Sequence, residues 1–117
     1  MRVTRVIADI PVSDIDGARA FYTDYLGLSE DEFNLGWVAR FTSPETGANV
    51  QILTRDETAP ELPVASIMVD DVEAAFETAE QHGYQIVHPL STETWGVTRF
   101  FVRAPDGSVF NVVQERQ

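Results

Sequence analysis

An α+β fold built from two tandem β-α-β-β-β modules is what this sequence predicts, and three observations predict it. Val6 to Leu28, VIADIPVSDIDGARAFYTDYLGL, reads as a strand, a capped helix and a glycine stop. Val64 to Ile86, VASIMVDDVEAAFETAEQHGYQI, is a weaker copy, in a register that sets Ile10 against Ile67, Val12 against Val69 and Asp14 against Asp71. A second echo follows each copy: Phe41-Thr-Ser-Pro44-Glu-Thr-Gly47 before Asn49-Val-Gln51, and Val102-Arg-Ala-Pro105-Asp-Gly107 before Val109-Phe-Asn111. Self-similarity at a fixed spacing is read first because it sets the whole architecture. It predicts a first module over 1–57 and a second over 62–117, together making one domain of 117 residues.

Val3 to Val12 is rich in β-branched residues and alternates loosely, the pattern of a strand. Alternation points Ala8, Ile10 and Val12 toward the helix and Arg5, Ile7 and Asp9 to the opposite face. Ser13 is the expected helix cap, with Asp16 completing a short capping box. Ile15, Ala18, Tyr22, Tyr25 and Leu26 fall on one helical stripe and are expected in the core; Gly27 ends the helix. Leu28 to Asn34, Trp37 to Thr42 and Asn49 to Thr54 read as the next strands, separated by turns at Leu35-Gly36 and Ser43 to Gly47. The polar segment Arg55 to Pro63 is the expected linker.

The second module repeats this order. Val64 to Val69 is a strand, and Asp70 or Asp71 caps a helix that buries Val72, Ala75, Phe76 and Ala79 and stops at Gly83. Tyr84 to His88, Thr98 to Arg103 and Ser108 to Gln114 are the remaining strands, which leaves Pro89 to Gly96 as a long loop of the kind that often carries function.

Composition narrows the function. The net charge is −11, from 19 acidic against 8 basic residues, and an acidic surface repels nucleic acid. It also attracts cations, although acids spread as Glu30-Asp31-Glu32, Asp56-Glu57 and Asp70-Asp71 look more like solvated faces than one pocket. No run approaches the roughly 18 apolar residues of a membrane helix, and Met1 to Arg5 has no apolar leader, so a cytoplasmic protein is expected. The absence of cysteine excludes disulfides, thiolate metal sites and cysteine nucleophiles.

The strand followed by Val12-Ser13-Asp14-Ile15-Asp16, then Ala20-Phe21-Tyr22 and Tyr25-Leu26-Gly27-Leu28, with Trp95-Gly96, Pro105-Asp106-Gly107 and the closing strand, resembles the vicinal oxygen chelate superfamily of glyoxalases, bleomycin-resistance proteins and dioxygenases. The resemblance covers nearly the whole chain. It implies that the two modules form a cupped mixed sheet around a ligand, and that the protein forms a homodimer. In family enzymes the cup holds a divalent metal through histidine and glutamate on the first and fourth strands of each module. Carried over to this chain, those positions fall on Ile7, Gln51, Val64 and Asn111. Two aliphatic side chains have no donor atom and two amides offer only neutral oxygens, a poor set for zinc, magnesium or manganese. No metal and no cofactor are therefore expected. The two histidines, His82 at a helix end and His88 entering a strand, share no ligand spacing and read as a surface and a strand-edge residue.

A cup without a metal still has walls. Phe33, Trp37, Trp95 and Phe101 lie in segments that border the cup in the family, and Gln51, Arg99 and Asn111 complete a candidate ligand-binding set. Aromatic rims bind flat or cationic ligands by stacking and cation–π contact; the plain alternative for each ring is core or dimer interface. Trp-Gly before Arg99-Phe100-Phe101 resembles the metal-free bleomycin-resistance proteins, which implies binding of a small aromatic or cationic molecule, an antibiotic among the options. The competing reading is a lyase, isomerase or dioxygenase centred on Asp9, Gln51 and Asn111, with Asp9 as general base; paired with Arg5, Asp9 would instead be structural.

Overall fold

Val3–Pro11 forms β1, and the computed structural model, which describes residues 1–116, continues from it in the expected order. Helix α1 (Ile15–Ala20) runs on as a π-helix at Phe21–Tyr25, followed by β2 (Glu30–Asn34), β3 (Val38–Thr42) and β4 (Asn49–Leu53). The second set is β5 (Ala65–Val69), α2 (Val72–Gln81), β6 (Gln85–Thr92), β7 (Val97–Arg103) and β8 (Val109–Glu115). The fold is mixed α+β, as the sequence predicts. No helix among the described residues is long and apolar enough to cross a membrane.

The chain forms two compact units, residues 7–62 and residues 1–6 with 63–117. In the first, the strand order is β2-β3-β4-β1, with β1 parallel to β4 and the other pairs antiparallel. In the second, β5-β8-β7-β6 repeats that pattern, β5 and β8 being the parallel pair. The first residues of β1 join this second unit: the Arg2 N–H donates to Asp70 Oδ1 at 2.6 Å and Thr4 Oγ1 to the Met68 carbonyl at 3.3 Å.

Each unit buries a helix stripe against one face of its strands. Ile15, Ala39, Phe41 and Ile52 form the first core, with Ile10, Val12, Ala18, Tyr22 and Leu28 packed around it. Val69, Val72, Ala75, Ala79, Phe100 and Val112 form the second. The odd-numbered positions Ile7 and Asp9, on the other face of β1, are also buried.

The structure corrects several local expectations. Asp14, not Ser13, caps α1: its backbone is extended and its carboxylate accepts the Gly17 N–H at 3.0 Å, so Asp16 takes no part in a capping box. Beyond Ala20 the helix widens, Leu26 N–H donating to the Phe21 carbonyl at 3.0 Å. A turn closed five residues back rotates the residues after it off the 3.6-residue stripe. Tyr22 therefore stays against the core while Tyr25 is 78% exposed and Leu26 is also outside, contrary to the expectation that all three are core. Gly27, at φ 72°, then ends the helix as expected. In the second unit Asp71 is the cap, accepting the Ala74 N–H at 3.1 Å.

The long loop at Pro89–Gly96 is not there. β6 runs to Thr92, paired with β7 through Ser91 opposite Arg99 and Thr92 opposite Thr98, and only Glu93 to Gly96 form the turn. Proline inside a strand was the misleading signal. It is tolerated because β6 is an edge strand whose register shifts between His88 and Ser91.

Asp70 gives the fold an acid-sensitive contact. The Arg2 backbone N–H holds its carboxyl below the usual carboxylate range. A depressed carboxylate stabilises the fold above its unfolded value, near pH 4, and that contribution is lost as pH falls through the folded value. Asp70→Asn is accordingly expected to flatten the acid limb of the unfolding profile below about pH 4. Equal acid limbs for variant and wild type would contradict this.

Candidate functional site

A charged chain of side chains lies across the face of the first unit that carries Ile7 and Asp9. Strand register sets Asp9 on β1 beside Gln51 on β4, Gln51 beside Arg40 on β3, and Arg40 beside Phe33 on β2. Gln51 Nε2 donates to Asp9 Oδ1 at 2.7 Å, and Arg40 Nε donates to Gln51 Oε1 at 2.8 Å. Arg40 Nη1 continues to Glu32 Oε1 at 3.1 Å, and the Thr42 hydroxyl donates to the second Glu32 oxygen. The guanidinium lies over the Phe33 ring, 5.3 Å from its centroid. Asp9, Arg40, Thr42 and Gln51 are all buried.

A β-bulge assembles the outer end of this row. Asp31 pairs with Phe41 and Phe33 with Arg40, so Glu32 is the extra residue on β2. Such an insertion re-aims a side chain, and here it brings Glu32 to the same guanidinium that Phe33 stacks on. Phe33, Gln51 and Asp9 are thus brought together, whereas Trp37 is buried in the turn just before β3. Arg40, Thr42 and Glu32 were missed in the sequence. The available signal was an arginine in the middle of the otherwise uncharged strand Val38-Ala39-Arg40-Phe41-Thr42, where a charge must find partners.

The second unit carries a matching row: Ser66 on β5, Asn111 on β8, Phe101 on β7 and His88 on β6. Asn111 Nδ2 donates to Ser66 Oγ at 3.0 Å, the counterpart of the Gln51–Asp9 bond. The bulge recurs as well, with Val87 the extra residue between Ile86 and His88. Beside the row, the Arg99 guanidinium sits 4.9 Å from the Phe101 ring centroid and 5.1 Å from that of Trp95. Glu93 Oε1 lies 3.5 Å from both Arg99 Nε and His88 Nε2. Trp95, Arg99, Phe101 and Asn111 thus belong to one cluster. Trp95 reaches it from the tight turn, not from a long loop. His88, read from the sequence as a strand-edge residue, is buried with its ring 5.2 Å from Phe101, and its Nδ1 meets the Pro89 carbonyl at 2.7 Å. His82 keeps its surface position.

The metal that the fold family implies does not fit these residues. Ile7 has no donor and is wholly buried. The Gln51 oxygen faces a guanidinium, and a second cation placed there would meet that charge. Val64 is aliphatic, and Asn111 offers one neutral oxygen against the several charged or imidazole ligands these ions take. Among the described residues no three histidine, aspartate or glutamate side chains are grouped to hold an ion.

The architecture has known counterparts. The family model described as Glyoxalase/Bleomycin resistance protein/Dioxygenase superfamily matches residues 3–112. A solved member of that superfamily from Vibrio splendidus 12B01 superposes with a TM-score of 0.70 at 21% identity, over 95% of this chain and 98% of its own. The structure of an NAD-dependent benzaldehyde dehydrogenase from Legionella pneumophila superposes with a TM-score of 0.76 at 16% identity, over 96% of this chain and 100% of its own. The Mn(II)-bound glyoxalase from Novosphingobium aromaticivorans gives 0.65 at 24% identity, over 97% of this chain but 39% of its own. Likeness at these identities is likeness of fold. No curated protein sequence matches.

Proposed function

Because the chain belongs to the Glyoxalase/Bleomycin resistance protein/Dioxygenase superfamily, we propose that it binds a small aromatic or cationic molecule without a metal. One observation carries the reading: at the family's metal-ligand positions Ile7 and Val64 have no donor, and the Gln51 oxygen is taken by the Arg40 guanidinium. In the second unit the half-buried Trp95 ring, 5.1 Å from the Arg99 guanidinium, supplies a flat face of the kind that binds planar ligands, with Phe101 buried behind Arg99. The form proposed for this chain is sequestration of a toxic compound such as an antibiotic by a cytoplasmic homodimer, on its resemblance to the bleomycin-resistance proteins, which sequester an aromatic, cationic drug.

Elemental analysis of protein purified without chelator is expected to find no stoichiometric transition metal. A stability-shift screen against cationic aromatic compounds is expected to give a ligand that raises the unfolding free energy by about 2.7 kcal/mol at one hundred times its Kd. A stoichiometric metal would overturn the proposal.

The buried Asp9 carboxylate, oriented by Gln51, favours a second reading: a lyase, isomerase or dioxygenase of the superfamily with Asp9 as general base. Turnover of a substrate that is lost in Asp9→Ala while binding persists would decide for that enzyme.

A further inference from the structure

The two matching rows differ at the strand position beside the carboxamide, and that difference leaves an atom over. In the first unit both ends of the Gln51 carboxamide are used, the nitrogen on Asp9 and the oxygen on Arg40. In the second unit the Asn111 nitrogen is used on Ser66, but the strand position that corresponds to Arg40 is held by Phe101, which has no donor. Asn111 Oδ1 is left buried without a hydrogen-bond partner, on a residue only 9% exposed. A buried acceptor in that state carries a desolvation cost until something supplies a proton. Its neighbours across the sheet are the Phe101 and His88 rings, with Trp95 and Arg99 beside them.

We infer that Asn111 Oδ1 anchors an N–H group of the bound molecule, a planar donor of the amidine, guanidine or aryl-amine class. The inference rests on the binding function proposed above and names the chemistry that enters the second unit. In the first unit a guanidinium of the chain itself satisfies the carboxamide oxygen while lying over the Phe33 ring. The ligand supplies the equivalent proton where the chain does not. A neutral ligand gains one ordinary hydrogen bond from this anchor, and a cationic one gains a charge-assisted bond about twice as strong.

The two ends of a carboxamide are alike in shape, so a donor and an acceptor probe are compared. Benzamidinium presents only N–H groups and benzoate, its isostere, only oxygens. Both are titrated into the 15N-labelled full chain, with the Asn111 side-chain amide resonances and calorimetry as readouts. Benzamidinium is expected to move the Asn111 resonances and benzoate to leave them in place. Asn111→Leu, which keeps the size and removes both polar atoms, is expected to weaken benzamidinium binding by about tenfold or more. Asn111→Asp is expected to strengthen it by about tenfold, because the acceptor becomes charged; unfolding curves of both variants establish that they are folded. Benzamidinium affinity that neither substitution changes would overturn the anchor and leave the binding function standing. Benzoate bound through Asn111 would overturn it by showing the amide nitrogen turned outward. A wild-type chain that binds neither probe while another compound stabilises it would overturn the anchor alone; no response to any compound would overturn both.

Discussion

Arg40→Met is expected to destabilise the protein by about 2 kcal/mol, the scale on which leaving a buried acceptor without its donor acts. The guanidinium is buried, and it answers three groups at once: the Gln51 oxygen, a Glu32 oxygen and the Phe33 ring. Methionine has a similar stem and no donors, so the cost comes from what it leaves behind. The Gln51 oxygen loses this donor inside the fold, and Glu32 beside Thr42 loses its contact with the Arg40 cation. Denaturant midpoints measure the loss. Adding Glu32→Gln should return part of it, because the stranded charge is gone, while the Gln51 oxygen stays unsatisfied. A loss below about 1 kcal/mol would place the pair in the range of solvent-exposed salt bridges and remove the basis for treating the row as a buried network.

How much of this was legible in the sequence depended on which physical signal was local. The doubled strand-helix order was legible because core residues repeat at helical and strand spacing: Ile10 and Ile67 lie in matching places, and Asp14 and Asp71 both cap. The end of the first helix was not, because the spacing of Tyr22 and Tyr25 is the same in an α-turn and in the π-turn that actually forms. β6 was cut short by Pro89, since its status as an edge strand is set by pairing partners distant in the chain.

The row of the candidate site was half legible. Gln51 and Asn111 stand out as replaced ligand positions and Asp9 as a candidate grouped with them, but the bonds that join Gln51 to Asp9 and Asn111 to Ser66 do not show in the sequence. Asp9 and Ser66 stand at equivalent places in the repeat, each holding the nitrogen of an amide on the fourth strand of its set. Nothing in the local sequence links Asp9 to a residue on β4; only the register of a parallel pair does. Glu32 reaches Arg40 through a bulge, and an inserted residue leaves no periodic trace in five residues of strand.

Gln51→Glu, which restores a family-type carboxylate at this position, is expected to cost about 3 kcal/mol at pH 7 without restoring an ion site. The nitrogen it replaces lies 2.7 Å from Asp9 Oδ1, so two carboxylates would meet where a hydrogen bond now stands. Arg40 on the other oxygen offsets part of the repulsion, and it also denies that oxygen to a metal. The crowded pair relieves itself by holding one proton. The folded variant then binds more protons than its unfolded chain, so its stability falls as pH rises through the window above about pH 4, where free carboxylates are already charged. The gap between variant and wild type should accordingly be small near pH 5 and widest near pH 8. Combining the change with Asp9→Asn, which puts a donor opposite the new carboxylate, should close most of the gap at every pH. Manganese should not stabilise the single variant, because one carboxylate beside a guanidinium, with aliphatic Ile7 as its family partner, remains a site for a neutral or hydrogen-bonding group. A pH-independent gap would mean that the Asp9 carboxylate does not face the Gln51 nitrogen, and manganese-dependent stabilisation would return the protein to the metal-binding branch of its superfamily.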